Sequence, residues 1–219
     1  MTPASLINYW NTFYAHRQLE QASWFQPHAS AALQLFARAA LPFPVVDVGA
    51  GLSPFLDGLL SQGYTNLIAT YLSATALDQH RRQLRPEWAE RVLSVVDDVT
   101  APQHLPLLDP VLLWHDRGLL HSLLSAPQTQ AYGRLLNHMV LAHGWVLLGA
   151  RTPQPGPPLT EAGLLVQPYN VAALGVLLGA NYALRHTLEE VHETPQGEQQ
   201  GYTYGLFQRN ATSRTEPWQ

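Results

Sequence analysis

The chain has 219 residues, 46% of them hydrophobic and 13% charged, with a formal net charge of −4. These proportions belong to a globular domain with its own core and exclude a disordered chain. All 12 basic residues are Arg, none gathers into a stripe, and there is no Cys; no nucleic-acid partner is expected, and disulfides, thiolate metal sites and a cysteine nucleophile are excluded.

Residues 5–17 predict a helix rich in aromatics, with Tyr9, Trp10, Phe13 and Tyr14. Its leading residues lack a basic region before an apolar run, and no segment nears the ~20 apolar residues of a membrane span. A soluble, cytoplasmic protein without membrane contact is expected. Residues 23–27 (SWFQP) predict a turn, and residues 30–40 a second helix ended by Pro42 and Pro44. Residues 43–48 are a short branched apolar run bounded by Pro and Gly, the pattern of a strand buried on both faces of a parallel sheet.

The alternation continues along the chain. A helix is predicted over 52–62, a strand over 66–72, and a helix from Ser73, its cap, to Leu84. Strands follow over 91–96, ending at Asp97-Asp98, and over 110–114. An amphipathic helix over 127–141 leads to a strand over 144–150. Residues 152–163 are a Pro/Gly-rich loop long enough for a lid or insertion. A short helix over 171–179 precedes strands over 182–192 and 201–209, read as a terminal antiparallel pair. The expected fold is α/β: a doubly wound, mostly parallel, seven-stranded Rossmann-like sheet with N-terminal helices and a C-terminal antiparallel hairpin. The expected divisions are an N-terminal helical cap (1–42), a main domain (43–210) and a flexible tail (211–219).

The stretch VVDVGAGLS (45–53) runs a strand through Gly49-Ala50-Gly51 into a helix. Glycine permits positive φ and lets a ligand approach the backbone, and the following helix offers unpaired amides. Asp47 stands at the carboxyl edge of that strand, where open α/β sheets bind ligands. A dinucleotide fingerprint would need a third Gly where Pro54 stands, which disfavours nicotinamide and flavin dinucleotides. Without Lys there is neither a P-loop nor the Tyr-x-x-x-Lys pair of a short-chain dehydrogenase.

D-x-G-x-G after a first strand resembles the seven-stranded methyltransferases that use S-adenosylmethionine (SAM). The resemblance spans residues 8–209. It is carried by Tyr9-Trp10, SWFQPH (23–28), VVDVGAGLSPFLDGLL (45–60), LSATALDQHRRQL (72–84), DDVT (97–100), LLWHDRGLLHSLL (112–124) and HETPQG (192–197). These look like a bacterial family with a WHDR-x-x-x-H motif after strand four. That family is similar to citrate synthase-lysine methyltransferase and, more distantly, to thiopurine methyltransferase.

The resemblance implies a SAM-dependent methyltransferase acting on a small molecule or a protein side chain. It implies that Asp47, Gly49 and Gly51 cradle the methionine part of SAM, that Asp98 accepts from the adenine amino group, and that the Val99 amide donates to the ring. Trp24 and Gln26 would close over the cofactor. Asp116 and Arg117 would stand at the lip facing the acceptor, and His121 would line the acceptor pocket. A weak base, where one is needed, would be Asp116 or His121. Read from the residues alone, Asp98 is also a turn cap, Asp116 an ion-pair partner for an Arg, and Trp24 a hydrophobic plug. His115, His121, His186 and His192 lack metal-ligand spacing, so no metal is expected.

One position departs from the pattern. Where the family ends strand two with a ribose-chelating acid, this chain has Tyr71, followed by Leu72. A phenol cannot make the charged bidentate contact, a difference of about 1.5–3 kcal/mol in cofactor binding. Gly144-Trp145 and His121-Ser122-Leu123 depart more mildly. Tyr71 motivates an alternative: a degenerate methyltransferase fold serving in binding or assembly, or in a non-methylating reaction.

Overall fold

The computed structural model describes residues 2–39 and 44–211. The stop at Pro42, the domain boundary at 42/43, the first residue of the predicted strand and the tail beyond 211 lie outside them.

Helix α1 (Pro3–His16) starts where the Thr2 hydroxyl accepts from the Ser5 amide at 3.2 Å. Helix α2 (Ser30–Ala39) presents Ala31, Ala32, Leu35 and Phe36 to the core. Strand β1 (Val45–Val48) is buried throughout and feeds the glycine turn. Helix α3 (Pro54–Ser61) is capped by Ser53, with Pro54 pre-set for its first turn. Strand β2 (Leu67–Tyr71) leads to α4 (Ala74–Gln83), whose cap is Ser73, as its sequence position predicted.

A short helix, α5 (Pro86–Ala89), absent from the sequence reading, precedes β3 (Val92–Val96). Strand β4 (Val111–Arg117) runs three residues past its predicted end. Parallel partners on both sides, β1 and β5, carry it on. Helix α6 (Ala126–Met139) passes directly into β5 (Val140–Arg151), four residues before that strand was predicted. Next come the two short strands β6 (Thr160–Glu161) and β7 (Leu164–Leu165), then α7 (Val171–Leu178), β8 (Tyr182–Glu193) and β9 (Gln199–Arg209).

The main sheet has seven strands in the order β3-β2-β1-β4-β5-β9-β8. Strands β3 to β5 are parallel neighbours, and β9 joins antiparallel between β5 and β8. The strand period of two sorts side chains onto two layers. Val45, Leu67, Leu113 and Leu147 pack with α2 and α3 on one face; Val46, Val48, Trp114 and Val146 pack with α6 and α7 on the other. Helix α1 lies across the first layer. Its Asn11 carbonyl oxygen accepts from the Ser73 hydroxyl at 2.7 Å, and its Tyr14 carbonyl accepts from Gln79 at 2.6 Å.

The Pro/Gly-rich loop is not without structure. Thr160-Glu161 and Leu164-Leu165 pair across Ala162 (φ 49°) and Gly163 (φ 76°). Positive φ at both central residues is the type I′ hairpin turn, and Gly163 was its visible signal.

Candidate functional site

The carboxyl ends of β1 to β4 meet at one cavity of about 690 Å³, the kind of volume that holds a cofactor or small ligand. Gly49, Tyr71, Leu72, Asp98 and Val99 lie on its wall, with Trp24 and His121. Asp47, Gly51 and Asp116 are not on that wall.

At the turn, Gly49 adopts φ +68°, and an added Cβ would stand 2.7 Å from Leu119 Cβ. Gly51 adopts φ +54° beside the Tyr14 hydroxyl. Both positions therefore need glycine, for conformation and for room. Asp47 is 3% exposed and faces inward. Its Oδ1 pairs with His115 Nδ1 at 2.6 Å, and its Oδ2 accepts from the Ser53 hydroxyl. Ser53 in turn accepts from the Leu56 amide at 3.2 Å, and the His115 ring stacks on Phe55 at 3.9 Å. Asp47 thus builds the turn and the start of α3.

At the end of β2, the Tyr71 ring packs against Trp10 and Tyr14, with centroids 6.1 and 5.7 Å away. The two phenols are buried side by side; burial pushes the Tyr14 phenol up to about 12 and raises Tyr71 as well. The neighbouring Thr70 is on the cavity wall, and its Oγ1 is buried without a partner among the described residues. Beyond β3, Asp98 Oδ1 accepts from the amide and hydroxyl of Thr100 at 2.8 and 2.7 Å. Asp98 is therefore a turn cap, and its Oδ2 has no hydrogen bond among the described residues. Asp97 accepts from the amides of Asp98, Gln103, His104 and Leu105 and so shapes the loop.

Strand β4 separates two residues that the sequence reading placed together. Alternation sends Asp116 to the α6 face. There it is fully buried and accepts from the Tyr132 hydroxyl at 2.7 Å and from the Leu119 and Leu120 amides at 3.0 and 3.1 Å. Burial pushes its carboxyl up to about 6, against the smaller opposing effect of those hydrogen bonds. It makes no ion pair with Arg117. Arg117 turns to the other face and lines the cavity. Its Nε donates to the Tyr204 hydroxyl at 2.9 Å, its Nη1 to the Trp24 carbonyl at 3.1 Å, and its guanidinium lies 4.3 Å from the Tyr202 ring centroid.

Glu161, from the β6–β7 hairpin, is a site residue the sequence reading missed. The one acid in the Pro/Gly-rich loop was its only signal. Its Oε1 accepts from the Tyr202 hydroxyl at 2.8 Å and pairs with Arg151 at 3.5 Å; its Oε2 meets His121 Nε2 at 3.2 Å. Burial acts to raise its carboxyl, but His121, Tyr202 and Arg117 outweigh this and hold it at about 2. His121 Nδ1 accepts from the Arg151 amide at 3.2 Å, so Nε2 carries the proton toward Glu161. Both His121 nitrogens are engaged. Tyr9 also ties the hairpin to α1 by donating to the Ala162 carbonyl. Gln26 lies off the cavity and donates to Glu190 at 3.0 Å.

Among the described residues, no group of three or more His, Asp or Glu could hold a metal ion, and no helix is long and apolar enough to cross a membrane. No family model and no curated protein matches the sequence. Solved structures do match in fold. A SAM-dependent methyltransferase from Anabaena variabilis is 14% identical, with 95% of each chain covered and a TM-score of 0.72. The 1,6-didemethyltoxoflavin-N1-methyltransferase of Burkholderia thailandensis, solved with 1,6-didemethyltoxoflavin and S-adenosylhomocysteine, is 17% identical over 96% of this chain and 91% of its own, at a TM-score of 0.69. A protein studied for the conversion of a disulfide bond into a thioacetal group during echinomycin biosynthesis is 17% identical over 96% and 94%, at 0.72. The chain has the fold of the SAM-dependent methyltransferases.

Proposed function

We propose that this protein is a SAM-dependent methyltransferase. The observation that carries this reading is the cavity along the carboxyl edge of β1 to β4, in a chain that shares the methyltransferase fold over nearly its whole length. The residues present fit the cofactor. Asp98 keeps one carboxylate oxygen for an amino donor, Val99 is beside it, and the buried Thr70 hydroxyl oxygen has no protein partner. Tyr71 offers the ribose an aromatic edge in place of a carboxylate.

In this reading Asp98 and Val99 hold the adenine end, Tyr71 and Leu72 border the ribose, and Gly49 lets the methionine end approach the backbone. Asp47 and Gly51 act from behind the wall by setting the turn, and Trp24 covers the site. Bound there, SAM supplies a methyl group already activated on a sulfonium. The protein's own work is alignment and exclusion of water. His121 and Glu161 hold the hairpin down over the acceptor side. Asp116 is a positioning residue that caps the turn bearing Leu119 and Leu120. Within the fold, Trp114-His115-Asp116-Arg117 and His121 favour the bacterial WHDR-motif family. A small-molecule acceptor is supported by the Burkholderia neighbour, whose structure contains one.

Calorimetric titration with SAM and S-adenosylhomocysteine tests this. Binding of both is expected, and no binding at millimolar ligand overturns the reading.

A further inference from the structure

Apart from Arg117 and one oxygen of Asp98, the ionisable groups on the cavity wall are already committed. Asp97 accepts from four backbone amides, and Asp98 stands beyond β3, two strands from the glycine turn. Glu161 is enclosed by His121, Tyr202 and Arg151. His121 has both nitrogens bonded, and the Tyr14 and Tyr71 phenols pack together in the core with their protons held more tightly than usual by burial. Among the described residues, no wall group near β4 is placed to take a proton from an acceptor. A neutral alcohol, or an amine that arrives as its ammonium ion, would need one.

Arg117 provides the opposite chemistry. Arg117 is half-buried as a residue; among the described residues its guanidinium has no carboxylate in contact, and its buried Nη2 has no partner. Three contacts, to Tyr204, Trp24 and Tyr202, hold it in place. Two acids compensate its charge without touching it: Glu190, linked through the Tyr204 hydroxyl, which donates to it at 2.9 Å, and Glu161, whose carboxyl Arg117 helps to hold low. A buried donor without a partner carries a free-energy penalty that a ligand oxygen removes, and guanidinium geometry suits a carboxylate. Arg117 lies on the β4–β9 side of the glycine turn, away from the adenine end. Elsewhere the cavity wall carries Leu123, Leu124, Leu164, Leu165 and Val166, alongside Ser122, Ser125 and Gln128.

Resting on the methyltransferase reading, we infer that the acceptor is a compound with an apolar body and an ionised carboxylate, which Arg117 holds beside the cofactor and which is methylated with no proton removed in the cavity. One carboxylate oxygen bonds to Arg117. The other forms a bond to the methyl carbon as the carbon–sulfur bond breaks and its electron pair stays on sulfur. The products are a methyl ester and S-adenosylhomocysteine; the negative carboxylate and positive sulfonium cancel, and no proton changes hands.

The test titrates the protein loaded with S-adenosylhomocysteine with octanoate and 4-butylbenzoate, each against the amine and the alcohol of the same skeleton. The carboxylates are expected to bind at least about tenfold more tightly, and with SAM to yield methyl esters by mass spectrometry. R117M is expected to weaken carboxylate binding about tenfold to a hundredfold, with partial recovery in R117K and unchanged S-adenosylhomocysteine affinity. Equal or tighter binding of the amine or alcohol overturns the inference and leaves the methyltransferase reading standing. So does an R117M variant that loses affinity for S-adenosylhomocysteine but not for 5′-methylthioadenosine, because Arg117 then serves the cofactor's own carboxylate. Absence of S-adenosylhomocysteine binding overturns both.

Discussion

Asp47 and His115 face each other across neighbouring parallel strands, with Oδ1 and Nδ1 2.6 Å apart and each residue at most 3% exposed. Through Ser53 the same carboxylate reaches the cap of α3, so one side chain joins β1, β4 and the glycine turn. D47A strips buried donors on His115 and Ser53 of their acceptor. It is expected to lower stability by about 3 kcal/mol, read as a reduced urea midpoint at unchanged slope. A midpoint equal to wild type would show that the turn stands without the carboxylate.

Glu161 carries a pH signature. Its folded-state carboxyl lies at about 2, below its ordinary 4.5. The stability it contributes is therefore present above pH 4.5 and lost as pH falls toward 2, about 3 kcal/mol in all. Urea midpoints of wild type and E161Q are expected to differ most above pH 5 and to converge toward pH 2.

Asp116 has the opposite sign. Burial lifts its carboxyl to about 6 from an ordinary 3.8, despite the hydrogen bonds from Tyr132, Leu120 and Leu119. The protonated form favours the fold, so its contribution is complete below pH 3.8 and is lost as pH rises through 6, again about 3 kcal/mol. The stability of wild type relative to D116N should fall between pH 4 and 6 and be flat above 7. A gap that widens with rising pH would refute this assignment.

Tyr71 separates a packing role from a vestigial one. Y71F removes only the hydroxyl and keeps the ring packed on Trp10 and Tyr14, and is expected to cost no more than about 1 kcal/mol. Y71D removes a ring packed on Trp10 and Tyr14 and places a carboxylate among aromatics, an expected loss of about 3–5 kcal/mol. S-adenosylhomocysteine affinity is expected to fall about tenfold in Y71D. A gain measured by calorimetry would mean that the missing acid outweighs the aromatic wall.

Much of the architecture was legible in the chain. Hydrophobic runs of strand length, cut by Gly and Pro and alternating with amphipathic stretches, specify a parallel sheet because each burial pattern satisfies only one kind of element. All seven strands of the main sheet and the cap Ser73 follow from local chemistry, whereas Ser53, read as part of the helix over 52–62, proves to be its cap. Gly49 is equally local, since its φ of +68° suits no other residue as well.

What the tertiary structure decided is where each polar group points. Sequence adjacency joins Asp116 and Arg117, but β4 extends through both, and the strand period sends one carboxylate to α6 and one guanidinium to the cavity. Asp47 reads as a ligand contact in sequence; its partner His115 is 68 positions away and is met only through sheet register. Glu161 reads as a loop acid until the hairpin folds onto His121 and Tyr202. Backbone pattern is a local property and is written in the chain. Pairing between buried polar groups depends on strands and loops far apart in sequence, and only the assembled sheet brings them within hydrogen-bond reach.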